Sequence, residues 1–379
     1  MKLLLVFILN LAPICTLWAA DEQWLMYRSL GKSDEYVTHA HGHGVKLIYS
    51  SPNNVALPAL KSSQPAFMNW KSPMLKDPNG ILMVFDSSKG NTNYDILYVD
   101  TNCDANLAND VPVKGMVRGE RQAEFRPVPV RLEAEDGPVT FEMKLSMYTE
   151  DSGDKKHITI WPGCWYEGEL TIGDKKVKAK LVDQDSDGDF TTAACLSIGS
   201  NDEEHKVGKF IYYNDKYYTL NVAKDGAYVQ LEPVSPELCE LQVAKDMSKL
   251  RLTGDNGSFD VKLKDGKGMA IKGDYRVENW TIVRKDAKGN NWELGGSAWN
   301  NQINIEPNQA GPKKLALGEP ILSRLDVSNN KGEYNFSQSF IDGAQSRIRI
   351  KKGQDDFAPK LHFVSADGKY DKKFSLEYG

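Results

Sequence analysis

From residue 81 onward, short apolar or alternating runs follow one another closely: ILMVFD, YDILYVD, AEFRPVPVRLEA, VTFEMKLSMYTE and HITIWPG, then KVKAKLVD, GKFIYYN and KYYTLNVA. Gly, Pro, Asn and Asp separate them, which is the pattern of successive β-strands joined by tight turns. Asn214-Asp215, set between two aromatic runs, predicts a two-residue hairpin turn. Residues 21–64 are less regular and carry no apolar stripe of helical period, so they predict one or two strands in a loosely attached segment.

The rhythm changes twice. LEPVSPELCELQVAKDMSKL marks one change, and NIEPNQAGPKKLALGEP, rich in Pro, Gly and Lys, marks the other. The expected organisation is a leader at 1–20, an irregular segment at 21–80, a β-rich domain at 81–245, a small β module at 246–310 and a C-terminal module at 311–379. The expected fold class is all-β, a row of sandwich-like or barrel-like modules ending in an immunoglobulin-like one, although no Cys-Trp-Cys spacing accompanies that last module.

Composition narrows the function. The 379 residues hold 47 basic and 52 acidic side chains, a formal charge of −5, which gives no general attraction to a phosphate backbone and argues against a nucleic-acid partner. Residues 1–20 set Lys2 before a Leu-, Val-, Phe- and Ile-rich run that ends in small residues, the layout of a secretory signal, with a retained amino-terminal anchor as the alternative. Cleavage there leaves no transmembrane segment, since nothing later supplies ~20 continuous apolar residues. The expected location is exported: periplasmic, cell-envelope or extracellular.

Cys15 departs with the leader, leaving Cys103, Cys164, Cys195 and Cys239. In an oxidising compartment four thiols allow three complete pairings, of which Cys164 with Cys195 is favoured because it would staple a hairpin region around an acidic loop. No CxxC pair is present, which argues against a redox catalyst or a thiolate zinc site.

The sharpest chemical signal is LVDQDSDGDFTTAA, with Asp183, Asp185, Asp187 and Asp189 at alternating positions and Gly188 after the third acid. Side-chain oxygens at loop positions 1, 3 and 5 and a glycine at 6 are what a calcium loop needs to turn tightly around a hard ion. Position 12 holds Ala194 where a bidentate Glu belongs, so the remaining oxygens would come from Thr191, Glu167 or backbone carbonyls. A second loop, YVDTNCDANLANDVPV, repeats the spacing with Asp100, Asn102, Asp104 and Asn106, but Ala105 replaces the glycine. Both follow a strand ending in Val-Asp and read as duplicated turns.

His39, His41 and His43 at i, i+2 and i+4 would share a face of an extended strand and could hold zinc or copper. Glu133, Asp136, Glu167 and Glu169 leave a glycosidase pair open without placing one across a cleft. Trp161, Trp165, Tyr166, Tyr212, Tyr213, Tyr217 and Tyr218 form either an aromatic binding surface or, more simply, strand packing. There is no GxSxG elbow, phosphate-binding loop or Rossmann glycine fingerprint.

The segments YVDTNCDANLANDVPV, WPGCWYEGELTIGDKKVKAKLVDQDSDGDF and PKLHFVSADGKYDKKFSLEYG together resemble uncharacterised exported bacterial β-rich proteins of the planctomycete type. The DxDxDG stretch also resembles EF-hand and dockerin calcium loops. The first resemblance implies export and β architecture. The second implies Asp183, Asp185, Asp187 and Thr191 as calcium ligands, with Ala194 departing from the pattern. The expected function is a secreted or envelope-associated structural or interaction protein stabilised by calcium, its partner a protein or a cell-envelope polysaccharide. The alternative is a carbohydrate-binding protein or a secreted polysaccharide hydrolase.

Overall fold

A computed structural model describes residues 21–376 except 34, 120, 150–155, 200–202 and 307–310. The leader expected at 1–20 lies outside the described residues. Every regular element described is a β-strand, and the strands form seven sheets, almost wholly antiparallel. The chain is all-β, as the alternating runs predict. No described sheet closes into a barrel.

The strands surround two main cores. The first gathers buried residues from Leu25 to Val229, among them Trp70, Phe85, Phe125 and Leu181. The second runs from Cys239 to Ile348 around Trp280 and Tyr275. The hairpin of Phe210–Tyr213 and Lys216–Val222 touches both, because Ile211 and Tyr218 point into the first while Tyr212 and Tyr217 lean on the second. Its turn is the predicted one: Asn214 and Asp215 both have positive φ, as a twist-matched hairpin requires.

The segment before residue 81 is more firmly held than its irregular pattern suggests. Met26–Ser29 joins Cys164–Ile172 and His43–Val45 joins Lys156–Pro162, each as an edge strand on a sheet built by later chain. Leu25, Val37 and Leu47 are buried. Short edge strands carry too little pattern to be seen in sequence, since their partners supply most of the order.

Two expectations are overturned. Cys164 and Cys195 form no disulfide, and the four cysteines at 103, 164, 195 and 239 are all free. The reason is register. Tyr166 pairs with Leu181 and Leu181 with Leu196, so Cys164, two residues before Tyr166, shares their face, while Cys195, next to Leu196, points to the opposite one. The strand Lys175–Asp183 also lies between the two cysteines, adding about 10 Å of separation.

The C-terminal immunoglobulin-like module is also absent. Arg347–Lys352 pairs directly with Asn291–Ile305, so the later strands continue a sheet begun before residue 310 instead of folding into a sandwich of their own. Lys360–Val364 and Asp371–Ser375 form a separate two-stranded hairpin.

Candidate metal centre

Two loops with the same backbone course carry the acidic series. Loop 183–189 leaves the strand Lys175–Asp183 and returns as Ala194–Ile198; loop 100–106 leaves Ile96–Val99 in a different sheet. Residues at matching offsets have positive φ: Cys103 and Ala105 in one, Ser186 and Gly188 in the other. In both, the first Asp accepts a backbone N–H from the sixth residue through Oδ2, from Ala105 at 3.1 Å and from Gly188 at 2.7 Å. In both, the fifth residue accepts the N–H of the seventh at 2.8 Å, Asp104 from Asn106 and Asp187 from Asp189. An Asp in such a turn hydrogen-bonds forward to its own loop, which is why the alternating spacing specifies the shape.

The loops differ in how the middle oxygens are satisfied. In loop 100–106, Asp104 Oδ2 accepts from the side-chain amides of Asn102 and Asn109, each at 3.0 Å, and these bonds, Asn109 foremost, hold the Asp104 carboxyl below its ordinary range. In loop 183–189 the residue corresponding to Asn102 is Asp185, whose side chain has no N–H to give. Carboxylate oxygens of Asp183, Asp185 and Asp187 lie within 4.8 Å of one another, the one such cluster of three or more acid, His or Cys ligands among the described residues.

Asp183 is fully buried and accepts N–H bonds from Asp185 and Ser186 on Oδ1 and from Gly188 on Oδ2. Burial, then the neighbouring Asp185 side chain, pushes its carboxyl well above the usual range. Burial likewise raises Asp187, to about 6, with Asp185 and Asp189 adding repulsion. Asp185 Oδ1 is buried with no hydrogen-bond partner. Three crowded, partly desolvated carboxylates are a cost that a divalent cation would remove. The cluster can coordinate one.

The loop is fixed from outside. Trp70 donates its indole N–H to the Ser186 carbonyl at 3.0 Å, and Phe190 donates its N–H to the Lys224 carbonyl at 2.9 Å. Gly188, at φ +85°, leaves no room for a side chain, because a Cβ would stand 2.3 Å from Leu132 Cδ1.

The remaining candidates are placed elsewhere. Asp189 uses Oδ1 to accept the N–H and hydroxyl of Thr191 and has Oδ2 3.6 Å from Lys224 Nζ, so both residues cap the far end of the loop. Ala194 opens a strand, paired with Asp183. Glu167 is tied to Trp165 Nε1 at 2.9 Å and to Arg28 Nε at 2.7 Å, which together hold it below its ordinary range.

The histidines do not share one strand face. His39 has φ +65° and pairs with Glu204, His41 is exposed, and the strand begins only at His43. Burial lowers the His43 imidazole below its ordinary range, against the opposing charge of Asp185, and its Nδ1 is buried without a hydrogen-bond partner. The His39 carbonyl accepts from Gln184 at 2.8 Å. Nothing in the sequence announces this contact between residues some 140 positions apart.

The aromatic set divides as well. Tyr166 and Tyr218 are buried, Trp165 lies under Lys180, and Tyr212 and Tyr217 line a cleft of about 670 Å³ with Phe259. Among the proposed acids, Glu133 sits 3.2 Å from Lys76.

Comparison with protein-family models, with curated proteins and with solved structures finds no match to this chain. The likeness of loop 183–189 to a calcium loop therefore rests on its residues and their geometry.

Proposed function

We propose that the chain is an exported structural or interaction protein of β architecture whose first core is fastened by calcium at loop 183–189. The convergence of Asp183, Asp185 and Asp187 carries this reading. The donors are all oxygen, the set that suits a hard cation, and backbone carbonyls and water would complete a flexible coordination shell. The amino-terminal apolar run supports export. The partner would be a protein or an envelope polysaccharide.

Calorimetric titration of chelator-treated protein with calcium, magnesium and zinc in turn tests the metal. Calcium at a hundred times its dissociation constant should stabilise the fold by about 2.7 kcal/mol, and Asp185→Asn with Asp187→Asn should abolish both heat and stabilisation. Equal melting of the parent and double variant with and without calcium would refute it.

A second reading, carbohydrate binding, is favoured by the cleft of Tyr212, Tyr217 and Phe259, since aromatic faces beside polar groups suit a sugar. Hydrolysis is the weaker form of it. Asp215 in the cleft is ion-paired with Lys262, which holds its carboxyl below the ordinary range and so disfavours a protonated general acid there. Loss of polysaccharide retention in Tyr212→Ala, measured at a temperature where dichroism shows the variant folded, is the expected result.

A further inference from the structure

The strand Leu322–Asn330 ends the eight-stranded sheet and, among the described residues, has a partner on one side only, Glu333–Ile341. That second strand meets the rest of the sheet through two pairs alone, Phe340 with Ile348 and Ile341 with Arg347. Most of the hairpin therefore pairs only within itself, with Phe336 of its second strand packed edge-on against Phe363 at 4.7 Å between ring centres. All nine residues of Leu322–Asn330 are exposed, with Leu322, Leu325 and Val327 at 49%, 47% and 53%. A two-stranded ribbon is marginally stable by itself, and an open edge is a template for another strand. The edge has no Pro, no Lys and an unbroken register.

Its only charges are Arg324 and Asp326, of opposite sign and on one face, 3.0 Å apart within the strand. Laid antiparallel against a second copy about Leu325, the strand places each Arg324 opposite the other copy's Asp326. Leu325 then faces its own counterpart, and Ser323 faces Val327. Moving the centre to Arg324 or Asp326 sets like charges against each other. From this self-complementarity we infer that Leu322–Asn330 is the contact edge of a two-fold homodimer, joined by continuous antiparallel pairing. The inference is independent of any metal at loop 183–189.

Sedimentation of the full chain across a concentration series provides the test. The parent should move from monomer to dimer mass. Arg324→Asp or Asp326→Arg alone should raise the dissociation constant by about tenfold or more, because two favourable pairs become repulsive, and the swap of both should restore it. A Leu325→Cys variant, made with the exposed Cys103 changed to Ser, should cross-link to a covalent dimer on oxidation, while Tyr334→Cys in the same background should not. Far-ultraviolet dichroism verifies that each variant is folded. A parent that stays monomeric throughout, or a charge swap that fails to restore association, overturns the inference.

Discussion

Loops 100–106 and 183–189 are built on one backbone plan and differ chiefly in what neutralises the middle carboxylates. In the first, the amides of Asn102 and Asn109 donate to Asp104. In the second, Asp185 stands where Asn102 does, and three carboxylates crowd together with one buried oxygen unpartnered. Two side-chain amides thus separate a turn closed by its own hydrogen bonds from one whose crowded carboxylates can coordinate a cation. The acids at the first and fifth positions set the loop shape, while Asn or Asp at the third decides how crowded the carboxylates are.

The largest effect should come at the sixth position. Gly188→Ala forces a side chain into positive φ and against Leu132, and should lower stability by about 2–4 kcal/mol in urea titration. Ala105 already holds positive φ at the matching place, so Ala105→Gly should change stability by no more than about 1 kcal/mol. Equal responses would break the equivalence of the loops.

Exchanging the third residue should exchange the behaviours. Asp185→Asn should raise metal-free stability by about 1–3 kcal/mol and remove the calcium response, because it takes one charge from the cluster and adds a donor. Asn102→Asp should lower metal-free stability by a smaller amount, since loop 100–106 is more exposed and Asn109 still donates to Asp104. Thermal melts with chelator and with calcium separate the two outcomes.

The smallest effect is that of pH. Asp187, raised to about 6, keeps its proton in the folded chain where the unfolded chain has lost it. Its contribution is therefore present below about pH 4 and is lost as pH rises to about 6 in the metal-free protein. His205, lowered to about 4 by burial, acts in the opposite sense over an overlapping window. The measurement is accordingly the stability difference between the parent and Asp187→Asn, which should fall with rising pH in chelator and flatten or reverse in calcium.

Much of this was legible in residues. The runs ILMVFD and KVKAKLVD became Ile81–Asp86 and Lys175–Asp183, and Asn214-Asp215 became the hairpin turn. The Val-Asp start of both acidic loops pointed to a shared turn. The cysteine pairing was not legible, because face depends on register across an intervening strand, and a single-residue slip reverses it. The C-terminal module was misread for a similar reason: strands on both sides of a Pro- and Gly-rich stretch can hydrogen-bond in one sheet, and linker composition does not say where an edge will pair.

The sequence by itself determined the β-strands, the tight turns and the spacing of the acids, since each follows from local alternation, backbone preference and side-chain reach over a few residues. Only the tertiary structure decided that Asp183 is buried, that Trp70 and Lys224 hold its loop, that Gln184 reaches the His39 carbonyl and that Leu322–Asn330 is left as an edge. Those depend on which distant strands pair and what they exclude from water, and burial turns an ordinary run of aspartates into a crowded cluster that can coordinate a cation.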